Sequence, residues 1–197
     1  MGDSFYSIKL KKIEWLLGEI YPLSRDAIIY YEVLTGEMNY FGMSQLRDSI
    51  EHIKRAFFSN TKNEFETDME SAFEHLRRGA VESLQRAANR KLKKAIDLLE
   101  IPPFALKLAF VEIPENEKLR ELKRRAFTKL NEGRCKKSDK GLWIDAMQCF
   151  YDVIEASFDI IDMYPSKAEI RIRIVQVLSF IITVVSLGIA VYLFVYC

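Results

Sequence analysis

The sequence is poor in the residues that build metal and redox sites: 197 residues hold two histidines and three cysteines. The cysteines, at positions 135, 149 and 197, show no CxxC spacing and are odd in number, so neither a zinc site nor a disulfide framework can be read from them. The phosphate-binding GxxxxGK[ST], the dinucleotide-binding GxGxxG and the GxSxG of hydrolases are missing. Nucleotide hydrolysis and serine-hydrolase chemistry therefore have no support, and no cofactor or metal is called for. Proline and glycine are scarce, five and eight residues, and the one apolar–polar alternation, Ile170 to Val175, runs straight into an uncharged segment. Sheet architectures are excluded and an all-α chain remains. Excess charge is absent as well. With 29 basic against 28 acidic residues the net charge is +1, which argues against a protein that coats nucleic acid.

One absence is local. From Ile174 to Tyr196 the chain runs 23 residues without a charge, and only Cys197 follows. About 20 apolar residues at about 1.5 Å each cross a bilayer, so this segment reads as a single C-terminal transmembrane helix, residues 174–196. Residues 166–173 form a basic juxtamembrane linker carrying Lys167, Arg171 and Arg173. The positive-inside rule then places the preceding domain, residues 1–165, in the cytoplasm of a tail-anchored, single-pass protein whose first partner is the lipid bilayer. Within the span Gln176, Ser179, Thr183, Ser186 and Ala190 recur at steps of three and four residues, which lines small and polar groups along one helix face. Such a face suits close packing between copies, or the wall of a pore. The alternative is that Ser and Thr satisfy their own backbone.

The remaining chain breaks into helices. Apolar spacing predicts one over 5–20, interrupted by Pro22, and a second over 25–35 capped by Ser24 and ended by Gly36. Ser44 is expected to cap a helix reaching about Phe58. A long helix should start near Asn63 and run to about Leu99, where Pro102 and Pro103 stop it. A helix over about 115–131, a loop over 131–141 and a last soluble helix over 142–163 complete a bundle, with Pro165 before the span.

Both histidines lie in a repeat. Ser44–Phe57, SQLRDSIEHIKRAF, aligns with Thr67–Ala80, TDMESAFEHLRRGA, at an offset of 23 residues. Glu51-His52 then matches Glu74-His75, and Lys54-Arg55 matches Arg77-Arg78. An antiparallel hairpin of the two helices would let the paired motif face itself or a second copy.

Arg47, Asp48 and His52 resemble the Arg-x4–6-His signature of the HEPN superfamily, with a polar residue directly after the Arg, on a helix of an up-and-down bundle. The resemblance covers at most residues 5–130. In catalytic members it implies a metal-independent ribonuclease: here Arg47 would clamp the scissile phosphate, His52 would act as general acid or base, and Asp48 would orient it, in a composite site across a dimer. The family usually carries the motif later in its domain. Beside this stands the reading of Arg47 and His52 as ion-pair partners of Asp48, Glu51 or Glu74 at a helix interface. At the level of architecture the chain is also similar to membrane-attached, HEPN-like accessory proteins of CRISPR and other antiviral systems, which assemble in membranes when triggered.

Neutrality overall is a sum of opposed blocks. Arg86, Arg90, Lys91, Lys93 and Lys94 fall within nine residues free of acids, and residues 118–140 hold ten basic residues, Arg124, Arg125, Lys136 and Lys137 among them, against three acidic ones. These faces suit RNA or lipid headgroups, or simply water, since no aromatics interleave with them to stack bases. Three functions follow as expectations. The first is an oligomerising, tail-anchored effector of prokaryotic antiviral defence that perturbs the membrane when triggered. The others are a membrane-tethered HEPN-type ribonuclease, with RNA or a defence ribonucleoprotein as partner, and a non-enzymatic adaptor.

Overall fold

The computed structural model describes residues 5–111 and 116–196. Among these every regular element is a helix. The first, α1 (Phe5–Trp15), passes through a π-helical turn (Leu16–Ile20) directly into α2 (Tyr21–Thr35). Pro22 therefore does not interrupt the helix, and Ser24 does not cap one. The wide turn is the physical reason: Tyr21 N–H bonds to the Leu16 carbonyl five residues back, and the looser winding accommodates a proline that would clash in a regular α-turn. Ser24 is buried instead and donates to the Leu76 carbonyl at 2.8 Å. Gly36 ends α2 in the left-handed region at φ 71°, where a side chain would be strained.

A second expectation shifts by one turn. α3 spans Tyr40–Phe58, and its cap is Asn39, whose Oδ1 accepts from Gly42 N at 3.0 Å. Ser44 lies inside the helix and donates back to the Phe41 carbonyl. The long α4 (Lys62–Leu99) opens on a capping box between Thr61 and Glu64. After a short α5 (Pro103–Leu108), absent from the sequence reading, come α6 (Asn116–Lys136), α7 (Trp143–Asp162) and α8 (Lys167–Tyr196). Residues 131–136, expected in a loop, extend α6, because Gly133 faces Phe150 of α7 and lets the two helices close to contact distance.

Helix directions follow from paired residues. α3 and α4 form an antiparallel hairpin, since His52 meets Asp68 while Gln45 meets His75. α4 and α7 run parallel, with Phe73 against Trp143 at one end and Lys91 over Phe158 at the other. α4 is the axis of the bundle. Its inward face is built of small and medium residues, Ala72, Leu76, Gly79, Ala80, Leu84, Ala87 and Ala88, which bring neighbouring helices close on several sides. Phe65, Phe150, Leu16 and Ile154 fill the space between them.

At the far end of α4 the packing changes hands. Ala95, Leu119, Leu122 and Ile160 form a small cluster, and beyond it Leu106 and Ala109, in and just after α5, close on Ile170 of α8. From there α8 leaves the bundle. It has 30 residues, about 45 Å of helix, and it is the one helix among the described residues long and apolar enough to cross a membrane.

Candidate functional site

The hairpin of α3 and α4 brings the two halves of the repeat face to face. Ser49, Ile53 and Ala56 on α3, and Ala72, Leu76 and Gly79 on α4, are buried at matching positions. One step around each helix, His52 and His75 stack on each other with ring centroids 5.3 Å apart and planes 23° from parallel. Each ring is tethered through Nδ1: His52 to Asp68 Oδ1 at 2.8 Å, His75 to Gln45 Oε1 at 3.0 Å. Both partners accept, so both Nδ1 atoms donate, and each neutral ring keeps a free Nε2 lone pair.

The rings line a shallow depression of about 240 Å³ together with Glu70, Glu74 and Arg78. Burial first, and then the neighbouring His52, push the His75 imidazole below its ordinary value of 6.5, against the opposing pull of Asp48. Two stacked imidazolium ions would repel, which is how His52 adds to the effect of burial on His75. The arrangement can pass protons: it has two imidazoles, one backed by a carboxylate, with a cation beside them.

Beneath it, Glu74 and Arg77 form an ion pair at 2.8 Å with both side chains about 85% covered. Arg77 Nη1 also donates to the Lys137 carbonyl, tying α4 to the end of α6, and Lys140 reaches Glu74 at 3.1 Å. Burial pushes the Glu74 carboxyl up, but Arg77 and Lys140 together outweigh it and hold the group below 4.5.

The other residues singled out from the sequence scatter. Arg47 is four-fifths exposed and bonds its neighbour Asp48, making no hydrogen bond with His52. Glu51 pairs loosely with Lys54 on the surface. Within one chain the cation beside the histidines is Arg78 rather than Arg47. Among the basic residues, Arg86 lies over Phe41, Arg90 pairs with Glu37, and Lys91 sits over Phe158. Lys91 is held below its usual range by burial and by Lys94. Lys93, Lys94 and Arg124 are exposed, Arg125 stands 3.9 Å from Glu155, and Lys136 approaches Cys149. Arg90, Lys91 and Lys94 line one small pocket with Leu34 and Thr35, and Arg86 and Lys137 line another. Asp68 and Gln45, the two tethers of the histidines, hold matching positions in the 23-residue repeat but were missed because only its Glu-His and basic pairs were singled out. The signal was present as a crossing rule: in an antiparallel hairpin the sums 52 + 68 and 45 + 75 both equal 120.

In α8, Thr183 donates to the Ser179 carbonyl one turn back, while Gln176, Ser179 and Ser186 have no side-chain donor bond within the helix. No family model, no curated protein and no solved structure matches the chain. Its class therefore rests on the geometry alone: an all-α bundle that carries one helix able to span a membrane.

Proposed function

We propose that the protein is a single-pass membrane effector: a helical domain held on the cytoplasmic face by α8, whose copies gather in the bilayer and alter its permeability when triggered. The observation that carries this reading is α8 itself, whose apolar window is entirely uncovered by the rest of the protein. Val175, Phe180, Ile182, Leu187 and Phe194 are all more than half exposed. In water that surface would be a severe liability, whereas in lipid it is the solvent-matched state.

The base of α8 fits an interface. Phe104 and Phe110, 72% and 80% exposed, flank Leu106 and Ala109, which grip Ile170, and Lys167 and Arg171 line a pocket there with Ile101 and Ala105. Exposed aromatics flanked by cations are the usual composition of a segment at the headgroup level. Gln176, Ser179 and Ser186 would gain partners from a second copy of α8, because lipid offers none. The resemblance to defence accessory proteins supplies the setting of a triggered effector.

The test is release of a trapped dye from liposomes carrying the purified full-length protein. Leakage that falls when Ser179, Thr183 and Ser186 are changed together to Leu supports assembly through this face; unchanged leakage rejects it. A second reading, a membrane-tethered ribonuclease, is favoured by the tethered histidine pair with Arg78. RNA cleavage lost in both His52→Ala and His75→Ala would carry it, and membrane toxicity without RNA loss would remove it.

A further inference from the structure

On the side of α4 next to the histidine cleft, the start of α3, the middle of α4 and the end of α6 enclose an open cavity of about 380 Å³. Arg77, Arg78, Arg86 and Lys137 line it, with Phe41 and Glu82. Two carboxylates answer these four cations: Glu82 takes Lys137 at 3.0 Å and Glu74 takes Arg77. Arg78 and Arg86 have no carboxylate within ion-pair distance among the described residues, so the cavity carries an excess of two positive charges.

Unpaired arginines on a convex surface are ordinary, but these face a concavity in which Arg77, Lys137 and Arg86 are held in place. The Arg77 side chain is only 13% exposed and is fixed by Glu74 on one side and the Lys137 carbonyl on the other. Lys137 is held in turn by Glu82 and Gln85. The Arg86 guanidinium lies 4.6 Å from the Phe41 ring centroid. Guanidinium groups fixed beforehand lose little freedom on binding an anion, and they match phosphate oxygens two at a time.

We propose that this cavity binds a diphosphate-bearing small molecule. Arg78 and Arg86 stand eight residues apart on α4, their backbones about 12 Å apart along its axis, a spacing that offers each arginine its own phosphate of a linked pair. An arginine stacked on one ring can take a second planar group on its outer face, which fits a nucleoside at the Arg86 end. The geometry separates this ligand from the bilayer, because Arg86 lies 13 residues before Leu99, about 20 Å from the end of α4, and it is α5, beyond that end, that meets α8. RNA is the competing ligand, because Arg90 and Lys94 continue the Arg86 face of α4 at four-residue steps and line a neighbouring pocket with Lys91; Arg90 is already taken by Glu37, and the RNA arm of the experiment decides between the two.

The experiment is calorimetric titration of the full-length protein in detergent with inorganic pyrophosphate and with ADP, repeated on Arg78→Ala, Arg86→Ala and the double variant Lys93→Ala/Lys94→Ala. All four side chains are exposed, so the variants fold, and circular dichroism verifies it. Saturable binding that each arginine change weakens about tenfold or more, with the lysine variant unaffected, is the expected result. Three results would overturn the proposal: no heat from either probe with the wild-type chain, equal weakening in the lysine variant, or loss by the arginine variants of binding to phosphatidylglycerol vesicles or a 20-mer RNA but not to pyrophosphate.

Discussion

Replacing Arg77 by Met removes one partner of the best-covered ion pair among the described residues. The pair is 2.8 Å long and both side chains are about 85% covered. At an effective dielectric of about 20, charges at that distance attract by about 6 kcal/mol, most of which the cost of taking them out of water cancels. Breaking a fully buried pair costs about 3–5 kcal/mol because the surviving charge stays desolvated. Lys140, itself well exposed, remains 3.1 Å from Glu74 and softens the loss, which brings the expectation for R77M to about 2–3 kcal/mol. Glu74→Leu leaves Arg77 with only the Lys137 carbonyl and should cost a similar amount. The double variant leaves no stranded charge, so it should cost no more than either single change, giving a coupling of about 2–3 kcal/mol. For a domain of this size 1 kcal/mol moves the melting temperature by about 2–4 °C, so each single variant should melt about 4–12 °C lower. The assay is thermal unfolding of the detergent-purified chain by circular dichroism at pH 7. Single-variant shifts under about 1 °C, or a double variant that loses the sum of the two, would refute the view that this pair holds the histidine cleft and the neighbouring cavity together.

Two further outcomes follow from the same packing. His75 titrates below 6.5 in the folded chain, so the unfolded chain binds the proton first; its contribution to stability is complete above pH 6.5 and is lost as the pH falls below that value. Melting curves between pH 5 and 8 should show this slope flattened in His75→Gln, and an unchanged slope would contradict it. At Gly133 an added Cβ would stand 2.8 Å from the Phe150 ring, so Gly133→Val should destabilise by about 1–3 kcal/mol through overpacking. Full stability in a denaturant titration would mean that α6 and α7 are not closely packed there.

The sequence carries the fold class and most of the helices plainly, because apolar spacing and caps are local signals. Thr61 and Glu64 mark the start of α4, and Gly36 marks the end of α2. What it conceals is tertiary. Pro22 reads as a break because no local rule announces the π turn that absorbs it. Ser24 and Ser44 read as caps because serine commonly caps helices, whereas one bonds across to Leu76 and the other back to Phe41. The site was half legible. The 23-residue repeat pairs His52 with His75, but the identity of the nearest cation depends on which face each helix turns inward: Arg47 points away to solvent, and Arg78, outside the signature, lines the depression. The exposed collar of Phe104 and Phe110 was hidden for another reason. α5 is short and lies between prolines and Pro114, so it showed no period of its own, and its aromatics acquire meaning only through contact with Ile170.

The claim on which the rest depends is that α8 sits in a bilayer. Its direct measurement is the fraction of expressed full-length protein that stays in the membrane pellet after an alkaline carbonate wash, compared with a variant carrying Ile182→Arg and Val185→Arg near the middle of the helix. Each arginine at a helix centre costs about 2.5–3.5 kcal/mol of insertion. The wild-type chain should remain with the membranes and the double variant should leave them; a wild-type chain that the wash releases would contradict the account.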